Sequence, residues 1–243
     1  MKQNPYDNKA FFEKYSQMDR STKGLDGAGE WKTLESMLPE FKDKRVLDLG
    51  CGFGWHCQYA IEHGAKTVTG IDISEKMLAI AKEKTSDKIC YCQMPIEEIS
   101  FSENSFDAVI SSLAFHYIES FEQIVEKVSC CLVKGGDFVF SVEHPVFTAY
   151  GSQEWYYDET GKILHFPVDN YFFEGQRQAN FLGEHVTKYH KTLTTYLNGL
   201  ILAGFEITGI VEPQPSKHLL QTVEGMEDEL RRPMMLIISA MKK

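Results

Sequence analysis

An aspartate and three alternate glycines stand together in Asp48-Leu49-Gly50-Cys51-Gly52-Phe53-Gly54, and a second aspartate, Asp72, closes another apolar run eighteen positions after Gly54. These residue types at this spacing suit a nucleoside. Glycine has no Cβ and tolerates φ > 0, so a ligand can lie against the backbone where a strand turns into a helix. A carboxylate ending the next strand can accept both hydroxyls of a ribose. Dinucleotide enzymes use G-x-G-x-x-G, whose helix N-terminus meets a pyrophosphate. Here the spacing is G-x-G-x-G, and Asp48 sits two residues ahead of Gly50. An acid that close would repel a pyrophosphate but could hold a cationic amino group. A dinucleotide and a glycine turn with no ligand are the alternatives, and the arrival of Asp72 at this distance weighs against the second.

Elements must position these groups. Apolar, β-rich segments predict strands over 45–49, 67–72, 88–92, 107–112, 136–143, 205–211 and 234–241, and helical patterns predict helices over 7–18, 28–38, 54–63, 74–84, 120–132 and 192–203. Ser74 is an N-cap for the helix after Asp72; Gly135-Gly136 and Gly204 end the fifth and sixth helices. Such alternation means βαβ units and a doubly wound, mostly parallel α/β sheet. The expected organisation is one domain over 1–243, with an N-terminal helical cap (1–38), a cofactor-binding core (39–143), a lid insertion (144–190) and a C-terminal helix and strands (191–243). Within the insertion, Trp155-Tyr156-Tyr157-Asp158-Glu159-Thr160-Gly161-Lys162-Ile163-Leu164 reads as a hairpin turning at Glu159 to Gly161. So long a connection is uncommon unless it serves as a lid or binding loop, and the C-terminal strand edges face the ligand crevice. Substrate choice is expected there.

Val46 to Gly54 matches the pattern (V/L)-L-D-(L/V)-G-x-G-x-G throughout, and here the chain resembles the class I S-adenosylmethionine-dependent methyltransferases, in particular the small-molecule branch similar to the ubiquinone/menaquinone-biosynthesis type. Asn104-Ser105-Phe106-Asp107-Ala108-Val109-Ile110-Ser111 resembles that family's fourth-strand motif, and Leu132-Val133-Lys134-Gly135-Gly136 its turn before strand five, with Lys134 in a proline position. The resemblance is specific over about 44–145. It implies a Rossmann-like seven-stranded sheet of order 3-2-1-4-5-7-6 with the last strand antiparallel, S-adenosyl-L-methionine as cofactor and S-adenosyl-L-homocysteine as product. It implies that Asp48 and the backbone of Gly50, Cys51 and Gly52 hold the methionine end, with Asp72 on the ribose, Ile73 and Met77 beside the adenine, and Ser111 bordering the methionine moiety. Where many relatives carry an aspartate for the adenine amine this chain has Pro95, which leaves the amide of Ile96 to reach the adenine and Glu97 as a weaker partner. Tyr15 belongs to a Tyr-Asp…Phe-Phe…Tyr pattern similar to the family's cofactor-covering helix.

Methyl transfer is an in-line attack on an already reactive sulfonium methyl, so alignment supplies most of the acceleration. A base is needed only where the acceptor must lose a proton, and histidine is the usual choice near neutral pH. His116 and His144, ending strands four and five, are expected to point into the crevice, and His190 to enter from the lid. A histidine that only hydrogen-bonds locally is the commoner case for each. Tyr117, Phe147, Tyr150, Trp155, Tyr171, Phe172 and Phe181 are packing residues in larger part, yet an aromatic pocket fits a small, partly apolar acceptor. Glu143, Asp169, Glu174 and Arg177 are the polar candidates to orient it.

A net charge of −10 and the lack of a lysine/arginine cluster exclude nucleic acid and anionic membranes as favoured partners. The longest apolar stretches are too short to span a bilayer, and no signal peptide opens the chain, so a cytoplasmic protein is expected. The six cysteines form no C-x-x-C pair and no zinc-spaced cluster; reduced thiols and no bound metal are expected. The reading is a methyltransferase acting on oxygen, nitrogen or carbon of a small molecule, with a homodimer suggested by the apolar lid. A non-catalytic S-adenosylmethionine-binding protein and a NAD(P)-dependent oxidoreductase are the alternatives.

Overall fold

Asn8 caps the first helix, α1 (Lys9–Ser16), by accepting the amides of Ala10 and Phe11, and α2 (Asp19–Thr22) and α3 (Trp31–Met37) follow. The chain then alternates β1 (Arg45–Leu49), α4 (Trp55–Glu62), β2 (Thr67–Asp72), α5 (Glu75–Lys84), β3 (Ile89–Gln93), β4 (Phe106–Ser112), α6 (Phe121–Cys131) and β5 (Leu132–Glu143). α7 (Pro145–Thr148) opens the insertion, which carries two hairpins: β6 (Tyr156–Tyr157) with β7 (Ile163–His165), and β8 (Gly175–Phe181) with β9 (Glu184–His190). α8 (Leu193–Leu202), β10 (Phe205–Val211), α9 (Lys217–Thr222) and β11 (Met235–Lys242) complete it. This computed structural model describes residues 4–243; residues 1–3 of the expected cap lie outside that range.

Seven strands form one sheet in the order β3-β2-β1-β4-β5-β11-β10. β1 to β5 run parallel, and β11 is antiparallel to both β5 and β10. With β10 and β11 counted as the sixth and seventh strands of the sheet, this is the 3-2-1-4-5-7-6 order. Side chains alternate across the sheet. Leu47 and Leu49 enter a core with Ile124, Val128 and Leu200 of α6 and α8, while Val46 enters a second with Cys57, Ala60 and Leu78 of α4 and α5. Trp31 and Leu34 of α3 cover Val139 and Ile237. Truncating a fully buried leucine such as Leu47 to alanine in such a core costs about 2–5 kcal/mol.

The parallel order brings the C-terminal ends of β1, β2, β4 and β5 to one edge, and the cap and insertion fold over that edge. The expected hairpin is present, with Asp158 accepting the amides of Thr160 and Lys162 across its turn. The first expected helix, 7–18, is represented by α1, which ends at Ser16; α2 begins beyond the expected range, at Asp19. β5 begins at Leu132, four residues before the expected start. Gly135-Gly136 does not end a helix; it lies within β5, where Gly135 has φ 77° and the pairing with β4 shifts register.

One set of contacts holds the insertion together and a second anchors it. His190 places Nδ1 2.7 Å from Thr148 Oγ1 and Nε2 2.9 Å from the Tyr171 carbonyl. Arg232, bonded to Glu229, lies over the rings of Phe147, Trp155 and Phe166 at 4.6, 5.1 and 4.9 Å, a cation–π arrangement that ties the insertion to the segment before β11.

Candidate active site

The turn after β1 is built from left-handed glycines, Gly50, Gly52 and Gly54, at φ 76°, 52° and 75°. Their needs differ. A Cβ on Gly50 would stand 2.6 Å from that of Ala114, and one on Gly54 2.1 Å from the Tyr91 hydroxyl, so these two are required by packing. A Cβ on Gly52 would meet no atom of the described residues within 4 Å and would enter the cavity that Gly52 lines. The amides of Gly50 and Cys51 both donate to the Ile71 carbonyl at 2.9 Å, which fixes the turn to the end of β2.

Asp72 ends β2 beside that turn. Its Oδ2 accepts the Gly52 amide at 2.9 Å and its Oδ1 the Ser74 amide at 2.8 Å. A carboxylate has about four lone-pair sites, so with its backbone donors Asp72 still keeps acceptor capacity for a ligand. Burial, the largest influence, pushes the Asp72 carboxyl above its usual range; the backbone donors oppose it and nearby Asp7 adds to it. Asp7 reaches this corner from the cap, accepting from Ser74 Oγ at 2.6 Å and the Lys76 amide at 3.2 Å. The cap is thus stitched to the start of α5.

One cavity of about 830 Å³ extends from the turn to the insertion. Gly50, Gly52, Asp72, Ile73, Met77, Pro95 and Ile96 form one end, Tyr6, Tyr15, Met18 and Arg20 of the cap roof it, and His116, Tyr117, Glu143, Gln153 and Lys188 form the other end. Tyr6 and Tyr117 meet hydroxyl to hydroxyl at 3.1 Å.

Three residues expected at the cofactor lie behind this wall. Strand alternation turns Asp48 toward α4, where Oδ2 accepts the Cys57 thiol at 3.2 Å and Oδ1 has no partner among the described residues. Burial pushes its carboxyl up to about 7. Cys51 is buried beside Cys57, and Ser111 donates to the Leu49 carbonyl at 2.7 Å, leaving Ser112 on the cavity. Of the three histidines only His116 lines the cavity. His144 caps α7 by accepting the Val146 amide at 3.0 Å, and its Nε2 lies 2.9 Å from Glu212. His190 is held through both ring nitrogens, as above. Glu174 accepts from Thr192 and Thr195 at the start of α8, Arg177 donates to the Ala149, Asn170 and Phe173 carbonyls, and Asp169 accepts the Asn170 amide; Glu143 alone of the four polar candidates reaches the cavity.

The comparisons with known proteins agree with this geometry. Residues 47–140 match the methyltransferase-domain family. A Listeria monocytogenes structure assigned as an S-adenosylmethionine-dependent methyltransferase superposes with a TM-score of 0.86 at 57% identity, over 90% of this chain and 99% of that one. The chain belongs to the S-adenosylmethionine-dependent methyltransferases. A methyltransferase structure from Mesorhizobium loti gives a TM-score of 0.83 at 42% identity, over 90% of this chain and all of that one. A Haemophilus influenzae protein with no assigned function is 35% identical over 249 residues, 98% of this chain and 96% of its own length. Two sequence relatives with a named acceptor, a malonyl-(acyl-carrier protein) O-methyltransferase and a ubiquinone biosynthesis O-methyltransferase, match over 36% and 51% of their own length.

S-adenosylmethionine, not a dinucleotide, is therefore the cofactor of this methyltransferase, and the wall fits it. Gly52 offers backbone where any side chain would enter the cavity, and Asp72, which lines it, keeps acceptor capacity for hydroxyls. The far end of the methyltransferase cavity holds residues that sequence reasoning missed. Lys188 donates to Glu143 Oε1 at 2.5 Å and Gln153 Oε1 at 2.8 Å, and Gln153 Nε2 donates to Glu143 Oε2 at 2.6 Å. Burial pushes the Glu143 carboxyl up, but His116, Lys188 and these donors together hold it below the usual value. Burial drives the His116 ring down to about 4, against the pull of Glu143, so it is neutral at physiological pH. A period-two signal existed for Lys188: in β9 it shares a buried face with Val186 and His190.

Proposed function

We propose that this methyltransferase acts on a small molecule held between core and insertion, against His116, Tyr117 and Glu143. The observation that carries the reading is the continuity of one roofed cavity from the glycine turn to Lys188, of the size usual for small-ligand sites, roughly 300–1,000 Å³. Its lining acids, Asp72, Glu97, Glu119 and Glu143, outnumber Arg20 and Lys188, a balance that disfavours a phosphate backbone.

In this reading Asp72 accepts the ribose hydroxyls, Ile73 and Met77 flank the adenine, and the Ile96 amide serves the adenine edge. That amide opens the 3₁₀ turn Ile96–Glu98 and so has no partner within the turn. Arg20 spends one nitrogen on Glu30, at 2.9 and 3.0 Å, and directs its remaining donors, beside Tyr15, to the methionine carboxylate. When bound, S-adenosylmethionine supplies an electrophilic methyl on a sulfonium, which the acceptor's lone pair takes while the C–S pair stays on sulfur. The chain's own work is to align the acceptor and exclude water, with Tyr6, Tyr117 and Phe181 closing the cavity.

The test uses methyl-labelled S-adenosylmethionine, the enzyme and a cell extract separated by ultrafiltration. Label in the small-molecule filtrate, absent without enzyme, is expected. Label retained on protein or RNA would contradict the assignment.

A further inference from the structure

The cluster of Glu143, Gln153, Lys188 and His116 at the far end of the cavity offers donors and no free base among its own members. Lys188 is 3% exposed and spends two of its three N–H groups on Glu143 and Gln153, and its Nζ lies 5.4 Å from the Phe181 ring centroid. Both Glu143 oxygens are engaged, by Lys188 and by Gln153, and its charge is matched. His116 Nδ1 accepts the Glu143 amide at 3.4 Å, which leaves the proton of the neutral ring on Nε2. That N–H has no protein partner among the described residues. What this cluster leaves for a ligand is therefore one ammonium N–H and one imidazole N–H.

Resting on the small-molecule reading above, we propose that Lys188 and His116 form an oxyanion subsite, and that the acceptor is a phenolic or enolic hydroxyl that binds there as its anion. An oxygen anion takes two charge-assisted or neutral N–H donors, whereas an alkylammonium would face Lys188 as like to like. The walls contributed by Tyr117, Phe147, Phe181 and Tyr189 suit a flat, unsaturated ring. As the acceptor binds, its O–H bond breaks with the electron pair left on oxygen, and the proton passes to solvent water. No base in the cavity is needed, which agrees with a His116 whose free nitrogen already carries a proton. Lys188 comes from β9 of the insertion and His116 from the turn after β4, so the subsite is complete only with the insertion in place.

The experiment titrates 4-nitrophenol, whose phenolate absorbs visible light, into protein saturated with S-adenosylhomocysteine, with affinity for the latter measured by calorimetry. The bound phenol's pKa is expected to fall by about one unit or more, a tenfold gain in ionisation. The shift should vanish in Lys188→Met combined with Glu143→Gln, which keeps the cluster neutral, and shrink in His116→Phe. Intact S-adenosylhomocysteine binding with no nitrophenol binding, or with an unshifted or raised pKa, overturns the subsite and leaves the cofactor site standing. A shift that survives both variants also overturns it. Failure of wild-type protein to bind S-adenosylhomocysteine overturns the reading on which it rests.

Discussion

Asp72 Oδ2 accepts the Gly52 amide at 2.9 Å, so the carboxylate at the end of β2 and the turn after β1 form one hydrogen-bonded unit. Asp72 also holds the first amide of the α5 start, at Ser74, where Asp7 of the cap bonds the Ser74 hydroxyl. Turn, strand end, helix start and cap meet at a single side chain. A site ordered in this way before a ligand arrives has less entropy to lose on binding.

The glycines should separate binding from folding. Gly52→Ala carries the cost of a left-handed residue, about 1–2 kcal/mol, but its Cβ enters only the cavity. Affinity for S-adenosylhomocysteine is expected to fall by about tenfold or more with a small change in Tm. Gly54→Ala drives its Cβ into the Tyr91 hydroxyl; Tm should fall further, and Tyr91→Phe should restore part of it. Calorimetry beside thermal unfolding checks this, and the same pattern of loss in both variants would contradict it.

Asp48 makes stability depend on pH. Its folded pKa, about 7, lies above the unfolded carboxyl value, so the folded state binds the extra proton. The resulting stabilisation is complete below the unfolded pKa and is lost as pH rises through about 7, with a slope of at most about 1.4 kcal/mol per pH unit. Asp48→Asn, which keeps the shape and cannot ionise, is expected to raise Tm relative to wild type at pH 8 and by clearly less at pH 5, where only part of the window between the unfolded and folded pKa has been crossed. An equal shift at both pH values in scanning calorimetry would speak against a buried, protonatable Asp48.

His116 is expected to stay neutral throughout the physiological range. Its ring resonances, assigned by comparison with His116→Phe, should not titrate between pH 5.5 and 8 by NMR, since burial places the pKa near 4. A midpoint near the ordinary histidine value would restore it as a general base.

Lys191 positions the turn that carries His116. Its buried Nζ donates to the Ile118 carbonyl at 2.5 Å and lies 3.3 and 3.5 Å from those of Tyr189 and Phe115. Lys191→Met leaves these carbonyls without their donor, at a cost of about 1–3 kcal/mol. Faster amide exchange over 113–118, with S-adenosylhomocysteine affinity changed less than threefold, is the expected result. Unaltered exchange there would deny the role.

The sheet is legible because each buried strand is a short apolar run ended by a turn residue; β1 and β2 fall at 45–49 and 67–72 as the runs predict. The nucleoside end is legible for the same reason, since Gly52 and Asp72 sit at strand ends whose direction the βαβ order fixes. The acceptor end is not. Lys188 and Gln153 meet Glu143 only through the pairing of β8 with β9 and the folding of the insertion onto β5, and no local period encodes that contact. Arg177 and Glu174 look like ligand-orienting charges, but carbonyls and a helix start freed by irregular chain claim them first. His144 and His190 mislead likewise: both stand near the crevice in sequence, and backbone, hydroxyl and carboxylate partners take their ring nitrogens.

The most direct test of the account is calorimetric titration of S-adenosylmethionine and S-adenosylhomocysteine into wild type and Asp72→Ala. Saturable binding of both by the wild type, weakened about a hundredfold or more in Asp72→Ala by the loss of its charge-assisted hydrogen bonds, is the predicted result. Binding that is unchanged by Asp72→Ala, or absent from the wild type, would contradict it.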